Sequence, residues 1–143
     1  MPLPTKVSLD YLNGKKIVGV RINPTKDILI FDVKEQGYHC WFDARSLIAV
    51  AVGDCCSSTW FEDIFSPKQL IGGVVTKTEN IDVPQPDQED EYEFLEDYGI
   101  RITTDLGVCD IIYRNSSNGY YSGYCEYELA WDQSQCKPIP MES

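Results

Sequence analysis

Apolar side chains recur at every second position in several stretches of this chain, and that spacing is typical of half-buried β-strands. In one such stretch, Leu29, Phe31 and Val33 would lie on the same face of an extended chain. The stretches with strand-like spacing and composition are 15–22, 27–33, 38–43, 74–83, 98–104, 108–114 and 120–131. Residues 44–52 end in a continuous apolar run, and its β-branched members followed by Gly53 favour a buried strand over a helical turn.

Turn signals between these stretches predict antiparallel pairing. Asn118-Gly119 is the dipeptide most typical of a two-residue hairpin, and it separates the stretch 108–114 from the stretch 120–131. Residues 27–43 are predicted to form another hairpin, with a polar turn that ends at Gly37. Neighbouring strands are therefore expected to pair with each other.

Helix signals are confined to the middle of the chain. Thr59 and Glu62 have the T-x-x-E spacing of a capping box, which predicts a short helix or a tight turn. Ser66 and Pro67 suit the cap and the first position of a second short helix, which the glycines at 72–73 would end. We therefore predict a mainly β (α+β) fold: an antiparallel sandwich or curled sheet of about seven strands, with one or two short helices mid-chain.

The length of 143 residues is typical of one domain, and we assign 1–143 to it. The proline-bearing residues 1–13 are predicted to be a loose segment, and 132–143 a frayed tail. No apolar run approaches 18 residues, and the N-terminal residues lack the apolar segment of a signal peptide. We therefore expect a cytoplasmic protein, in the cytosol of a bacterial host, without membrane contact.

The formal net charge of −11 is concentrated in one segment. Residues 84–97 are polar, acidic and proline-bearing, which predicts a surface loop. Counted from Asp82 to Asp97 the segment has eight acids and no base, so the remainder of the chain carries only −3. Direct nucleic-acid binding is disfavoured because it needs clustered Lys and Arg. An acidic nucleic-acid mimic is an alternative, but mimicry needs carboxylates distributed over a whole face.

The cysteines are expected to be reduced and to serve mostly as small core side chains. They are Cys40, Cys55, Cys56, Cys109, Cys125 and Cys136. A cysteine-dependent enzyme using Cys55 or Cys56 is an alternative, but its base would have to be His39, the one histidine of the chain. The chain has no C-x-x-C pair of the kind that holds structural zinc. We predict no catalytic residue, no metal and no cofactor.

The stretch 113–124, YRNSSNGYYSGY, is the strongest candidate for a binding surface. Its predicted ligand-binding residues combine side-chain donors with flat rings, and they are Tyr113, Arg114, Asn115, Asn118, Tyr120 and Tyr121. Arginine beside tyrosine suits a planar or phosphorylated ligand, which it can stack on and hydrogen-bond. The structural alternative is an Asn-Gly turn whose tyrosines cover the edge of a sheet.

The stretch 53–64, GDCCSSTWFEDI, is the second candidate, since it lies between two strand-like regions and is predicted to be the joint where they meet. Asp54, Cys55 and Cys56 are added to the ligand-binding residues on this ground. Glu62 and Asp63 could bind a cation, although a helix cap and a solvated acid are the simpler interpretation.

The two stretches resemble a family of small domains of unknown function from bacteriophage and bacterial genomes. The family's pattern has an acid before two cysteines, a later acid with Ile, a Leu-Ile-Gly, an aromatic residue and a Ser-Asn-Gly-Tyr-Tyr run. The matching residues are Asp54, Cys55, Cys56, Glu62, Asp63, Ile64, Leu70, Ile71, Gly72, Tyr113, Ser117, Asn118, Gly119, Tyr120, Tyr121 and Ser122. Ser57 departs from the pattern, which commonly has Glu there. The resemblance covers about 15–130 and implies a small, cytosolic and often viral protein.

A non-enzymatic binding protein is therefore the function we expect, with a phage-related origin. Its partner would be a host protein or a small nucleotide-like ligand. The first corresponds to a counter-defence inhibitor, and the second to a protein that sequesters a nucleotide signal.

Overall fold

Two antiparallel β-sheets pack against each other in a computed structural model of the chain, which describes residues 5–54, 56–88, 93–118, 122–129 and 137–139. Strands account for 64% of these described residues and helical turns for 6%, and neither sheet closes on itself. The predicted mainly β fold, an antiparallel sandwich or curled sheet, is confirmed. The described residues form eleven strands rather than about seven. Short strands form in segments predicted to be loose near both ends, and residues 58–65, which include the predicted helix or turn, form a strand.

The strands are, in chain order, β1 (Thr5–Val7), β2 (Lys16–Ile22), β3 (Ile28–Gln36), β4 (Trp41–Asp43), β5 (Leu47–Gly53), β6 (Ser58–Phe65), β7 (Val75–Ile81), β8 (Phe94–Thr104), β9 (Gly107–Ser117), β10 (Gly123–Leu129) and β11 (Lys137–Pro138). The first sheet has the order β1-β10-β5-β3-β2-β11, with β4 paired to β3. The second sheet has the order β6-β9-β8-β7. The chain therefore changes sheet twice, between β5 and β6 and between β9 and β10.

The core lies between the facing surfaces of the two sheets. Phe31 of β3, Phe61 of β6 and Ile111 of β9 are each at most 2% exposed and belong to one cluster. Alternation along each strand places these side chains on the inner face. Full burial of one such side chain stabilises the fold by about 1.5–3 kcal/mol. The inner layer is therefore the main source of stability.

The helix or turn predicted at residues 59–62 is wrong, because these residues lie inside strand β6. Thr59 pairs with Asn115 and Phe61 pairs with Tyr113. Burial of the Phe61 ring outweighs a local capping signal, which is worth about 1 kcal/mol. The register of β6 shifts between Phe61 and Asp63, which is the mark of a β-bulge at Glu62.

The second predicted helix is a single 3-10 turn at Pro67–Gln69. Pro67 occupies the first turn as predicted, but Ser66 is left-handed, with φ of 59°, and its side chain makes no capping hydrogen bond. Gly72, with φ of +83°, follows in the conformation that favours glycine. The other helical turn, Leu9–Leu12, lies near the N-terminus, where the prediction had only a loose segment.

The Asn-Gly hairpin predicted at residues 118–119 is wrong. Strand β9 pairs with β6 and β8 in the second sheet, whereas β10 pairs with β1 and β5 in the first. Both edges of β9 are occupied along most of its length, so the chain after Ser117 leaves the second sheet and joins the first. Gly119, Tyr120 and Tyr121 lie outside the described residues.

Three segments predicted to be irregular contain paired strands. Strand β1 pairs with β10, and the turn after it buries Leu9 and Leu12 in the core. The predicted acidic loop 84–97 extends too far, because β8 begins at Phe94 and pairs fully with β9. In the predicted tail 132–143, Lys137 and Pro138 pair with β2, while 132–136 and 140–143 lie outside the described residues.

Candidate functional site

The two sheet-changing connections lie side by side, so the structure brings together the two stretches that the sequence singled out. The Asp54 N–H donates to the Ser122 carbonyl at 3.3 Å, and Gly53 pairs with Gly123. A Cβ atom at Gly123 would lie 2.5 Å from Thr59 Oγ1, so only glycine allows the sheets to approach this closely. Residues 53–64 therefore do join two strand systems, as predicted.

Strand β9 separates the predicted ligand-binding residues onto two faces. Tyr113 is 8% exposed and faces the core, where its ring stacks on Tyr98 at a centroid distance of 5.0 Å. Asn115 is 0% exposed, and its Oδ1 accepts from Thr59 Oγ1 at 2.8 Å. Arg114 lies between them in sequence and faces outward. One ligand could not contact these three side chains from a single side of the sheet.

The remaining predicted site residues that the structure describes lie around the connections. Asp54, Cys56 and Asn118 are exposed, and Cys56 has a positive φ of 73°. Cys55, Tyr120 and Tyr121 lie outside the described residues. Their proposed contact with a ligand stays a prediction.

Arg114 is held by two carboxylates on the outer face of the second sheet. Its Nε and Nη2 donate to the two oxygens of Asp97 at 2.7 and 3.1 Å, and Nη1 donates to Glu62 at 3.3 Å. The indole of Trp60 donates to the other oxygen of Glu62 at 2.5 Å. The hydrogen bonds and charge of Asp97, followed by the charge of Glu62, raise the pKa of Arg114. Two acids thus already compensate this cation.

A mainly apolar depression of about 340 Å³ adjoins this network on the outer face. Its lining combines apolar side chains with three carboxylates, and it consists of Asp63, Phe65, Val83, Pro84, Asp97, Asp110 and Ile112. Phe65 is 53% exposed, and Val108, further along β9, is 43% exposed. We name this surface the acid-rimmed face. An exposed apolar floor with a charged rim is typical of interaction sites.

Arg101 and Asp110 form a second forked ion pair on this face. Nε and Nη2 of Arg101 donate to Asp110 at 2.8 and 3.0 Å. The Arg101 side chain is 41% exposed, whereas that of Arg114 is 22% exposed. The two pairs therefore offer the same geometry at different depths.

The cysteine–histidine alternative meets an unfavourable geometry. His39 lies in the turn between β3 and β4, and Cys56 follows β5 at its far end. Val50 of β5 pairs with Ile28 at the start of β3, so the end of β5 lies near the start of β3. At about 3.3 Å per residue, the two ends of β3 are roughly 25 Å apart, and His39 follows the other end. Among the residues that the structure describes, no three His, Cys, Asp or Glu side chains converge as a metal site.

Burial raises the pKa values of the inner titratable groups of this region further above neutral pH. It raises the pKa of Cys109 and of Cys125 to about 12. Burial, and then a hydrogen bond from its hydroxyl to Glu96 at 2.7 Å, raises the pKa of Tyr98 to about 12. Such groups are poor nucleophiles near pH 7. In the described part of the chain they act as core side chains.

Sequence reasoning missed Asp97, Asp63 and Phe65 as members of a surface. Asp97 was placed at the end of a surface loop, and Asp63 was interpreted as a solvated acid next to a helix cap. Alternation along a full-length β8 could have placed Asp97 on the outer face. It could not have placed Asp63 and Phe65, because the bulge at Glu62 reverses the alternation of β6 after Phe61.

These observations define a two-sheet antiparallel β domain with an acid-rimmed face on its smaller sheet. Residues 10–126 match the family described as Domain of unknown function (DUF7448), and the chain belongs to this family. An uncharacterized protein of Acanthamoeba polyphaga mimivirus is 36% identical over 85 residues, which cover 55% of this chain and 65% of that protein. No solved structure matches significantly. Within the described residues, no helix has the length and apolarity needed to span a bilayer.

Proposed function

We propose that this protein acts by binding rather than by catalysis, and that its acid-rimmed face docks a host protein that presents basic and apolar side chains. The observation that carries the proposal is the depression of about 340 Å³ with an apolar floor and the carboxylates of Asp63, Asp97 and Asp110 around it. Apolar burial would supply affinity, and the rim would select basic neighbours and orient them.

A protein partner is favoured over the nucleotide-like ligand. A phosphate would need an arginine whose charge is available, but two carboxylates, Asp97 and Glu62, already compensate the Arg114 guanidinium. The carboxylates on the rim would also repel a phosphate. A nucleotide-sequestering protein would have to bind away from this face, for instance near Asn118 and Asp54.

The viral setting belongs to the same proposal. The similarity to a mimivirus protein supports a viral origin for this chain. A phage-related, counter-defence role in the cytosol of the host is the form of this function that we propose, because small viral binding proteins act on host components. An acidic mimic of nucleic acid is less well supported, since arginines neutralise part of the rim.

Photo-crosslinking tests the proposal with a matched pair of exposed phenylalanines. Phe65 lies on the acid-rimmed face and is 53% exposed, whereas Phe42 lies on β4 of the first sheet and is 47% exposed. A photoreactive phenylalanine analogue at position 65 should crosslink a host protein in lysate, and the same analogue at position 42 should not. Phe65→Ala should weaken capture of that protein, while Phe42→Ala leaves it unchanged. Equal crosslinking from both positions would refute the assignment of the face.

A further inference from the structure

Strand β8 extends beyond its neighbour β7 and leaves one edge without a described strand beside it. The last pair between them joins Ile81 to Gly99, whereas β8 begins at Phe94. On its other side β8 pairs with β9 along its whole length. Backbone groups on the open side of residues 94–98 therefore need other partners.

Two glutamine side chains occupy this edge. Gln85 Nε2 donates to the Asp97 carbonyl at 2.9 Å, and the Asp97 N–H donates to Gln85 Oε1 at 2.9 Å. Gln88 does the same with Leu95, at 2.8 Å to the carbonyl and 2.9 Å from the N–H. Each side-chain amide thus exchanges two hydrogen bonds with one residue. That exchange is the pattern of a hydrogen-bonded pair in an antiparallel ladder.

Residues 83–88, which we name the glutamine strap, imitate two residues of a missing strand. Pro84 and Pro86 lack the N–H that a true strand would contribute, so the side chains supply the ladder instead. Val83 packs closely over Gly99, which only glycine permits, since a Cβ at Gly99 would lie 2.6 Å from Val83 Cγ1. Val83 and Pro84 also line the acid-rimmed face. The strap and the proposed binding surface are therefore adjacent.

We propose that Leu95–Asp97 of β8 is a strand-addition site, at which an extended basic segment of a partner protein replaces the glutamine strap. The incoming strand would continue the line of β7 and form the four hydrogen bonds that Gln85 and Gln88 now form. This inference rests on the proposed function for the choice of a protein partner, and it specifies how that partner is seated.

Charge selects a basic strand over a second copy of this chain. Exposed acids flank this edge in the chain, since Asp82 precedes the strap, Asp87 lies in it and Glu93 precedes β8. An antiparallel pair of two β8 edges would bring the same acids together in a chain whose net charge is −11. Lysine or arginine at alternate positions of a partner strand would instead meet these carboxylates.

The exchange is feasible because it replaces hydrogen bonds one for one. Gln85 and Gln88 are both exposed, and their bonds lie at the surface. Such bonds contribute little net stability, because water competes for both partners. Removing the strap's side chains should therefore tighten binding by about tenfold, which equals about 1.4 kcal/mol.

Fluorescence anisotropy with a designed peptide tests the inference on the full chain. The probe is a capped, labelled octapeptide of alternating Lys and Val, and the acidic control alternates Glu and Val. The double variant Gln85→Ala/Gln88→Ala should bind the basic probe about tenfold more tightly than the natural chain. Gln36→Ala, which alters an exposed glutamine of the first sheet, should have no effect. Equal affinity for the natural chain and the double variant, or equal binding of the acidic peptide, would overturn the inference.

Probe methylation then tests the ladder itself. Methylating the backbone nitrogen of every second residue should abolish binding for one of the two alternating sets and preserve it for the other, since only one set faces β8. Loss in both sets, or in neither, would refute strand addition. If Phe65→Ala abolishes peptide binding while the glutamine variants leave it unchanged, the acid-rimmed face survives and the strand-addition site fails. If the glutamine variants tighten binding but position 65 crosslinks no host protein, the strand-addition site survives and the docking of a host protein on the acid-rimmed face fails.

Discussion

Arg114→Ala should destabilise the domain more than Arg101→Ala, although both substitutions remove one member of a forked Arg–Asp pair. Both pairs connect β8 to β9 with donor–acceptor distances between 2.7 and 3.1 Å. The difference between them is burial. The Asp97 side chain is 9% exposed and that of Asp110 is 27% exposed. Without its arginine, Asp97 would remain a poorly solvated carboxylate beside Glu62.

The expected loss lies between two measured classes of ion pair. Removal of one partner from a fully buried pair costs about 3–5 kcal/mol, whereas exposed pairs contribute about 0–1 kcal/mol. Arg114 is 22% exposed and Asp97 is 9% exposed, which places this pair between the classes. We expect Arg114→Ala to lower the free energy of unfolding by about 2 kcal/mol. Arg101→Ala should cause a clearly smaller loss, since water already screens that pair.

Urea denaturation followed by tryptophan fluorescence and by circular dichroism measures both variants. Coincident transitions and an unchanged m-value are required for a two-state comparison. Asp97→Asn in the Arg114→Ala background should restore part of the lost stability, because it removes the unpaired charge. Equal losses for the two arginine variants, or a loss below about 0.5 kcal/mol for Arg114→Ala, would refute the argument that burial sets the value of these pairs.

Three further outcomes are expected. The free energy of unfolding should fall as pH rises from about 9 to 12, because the Cys109 and Cys125 thiols have pKa values raised to about 12 when folded and therefore ionise first in the unfolded chain; urea titrations across this range measure it. Asn115→Ala should cost about 1–3 kcal/mol in the same denaturation assay, since it leaves the buried Thr59 hydroxyl without this acceptor. Maleimide labelling with peptide mapping at pH 7 should modify the exposed Cys56 well before the buried Cys109 and the partly buried Cys125, and comparable labelling rates would contradict their placement in the core.

The strands could be predicted from the sequence because burial on one face imposes a period of two on the side chains. Strands β2, β3, β7 and β8 each contain most of a stretch assigned from strand-like spacing and composition. The joint at residues 53–64 was also predictable, since Gly53 interrupts an apolar run between two strand-like regions. The strands and the joint depend on residues that are close in sequence, so a single sequence is enough to predict them.

The local signals failed where pairing over long sequence distances determines the structure. The capping-box spacing of Thr59 and Glu62 is compatible with a helix, but Phe61 is buried only when β6 pairs with β9, some fifty residues later. Asn118-Gly119 favours a hairpin, yet β8 and β6 already occupy the edges that a returning strand would need. In both places tertiary pairing outweighed a local preference of about 1 kcal/mol.

The candidate site was only partly predictable for the same reason. Arg114 was singled out from the sequence for its donors and charge, but its partners Asp97 and Glu62 are 17 and 52 positions away. The hairpin prediction placed Arg114 and Asn115 around one turn. Alternation along β9 instead directs Asn115 into the core. The predicted strand ended at residue 114, and a prediction extended to Ser117 would have shown this.

The arrangement of charge on the acid-rimmed face, more than its amount, determines what that face can bind. In the sequence most of the acids lie in one segment. In the structure the rim combines Asp63 of β6, Asp97 of β8 and Asp110 of β9. Two of these three carboxylates are engaged by arginines in forked pairs. A mimic of nucleic acid needs regularly spaced charges without such counterions, because its partner must gain the electrostatic energy that a phosphate would give. On this face the arginines already compensate two carboxylates, so less electrostatic energy is left for a partner. The apolar floor around Phe65 and Ile112 would therefore contribute most of the affinity, and the residual charge would govern orientation.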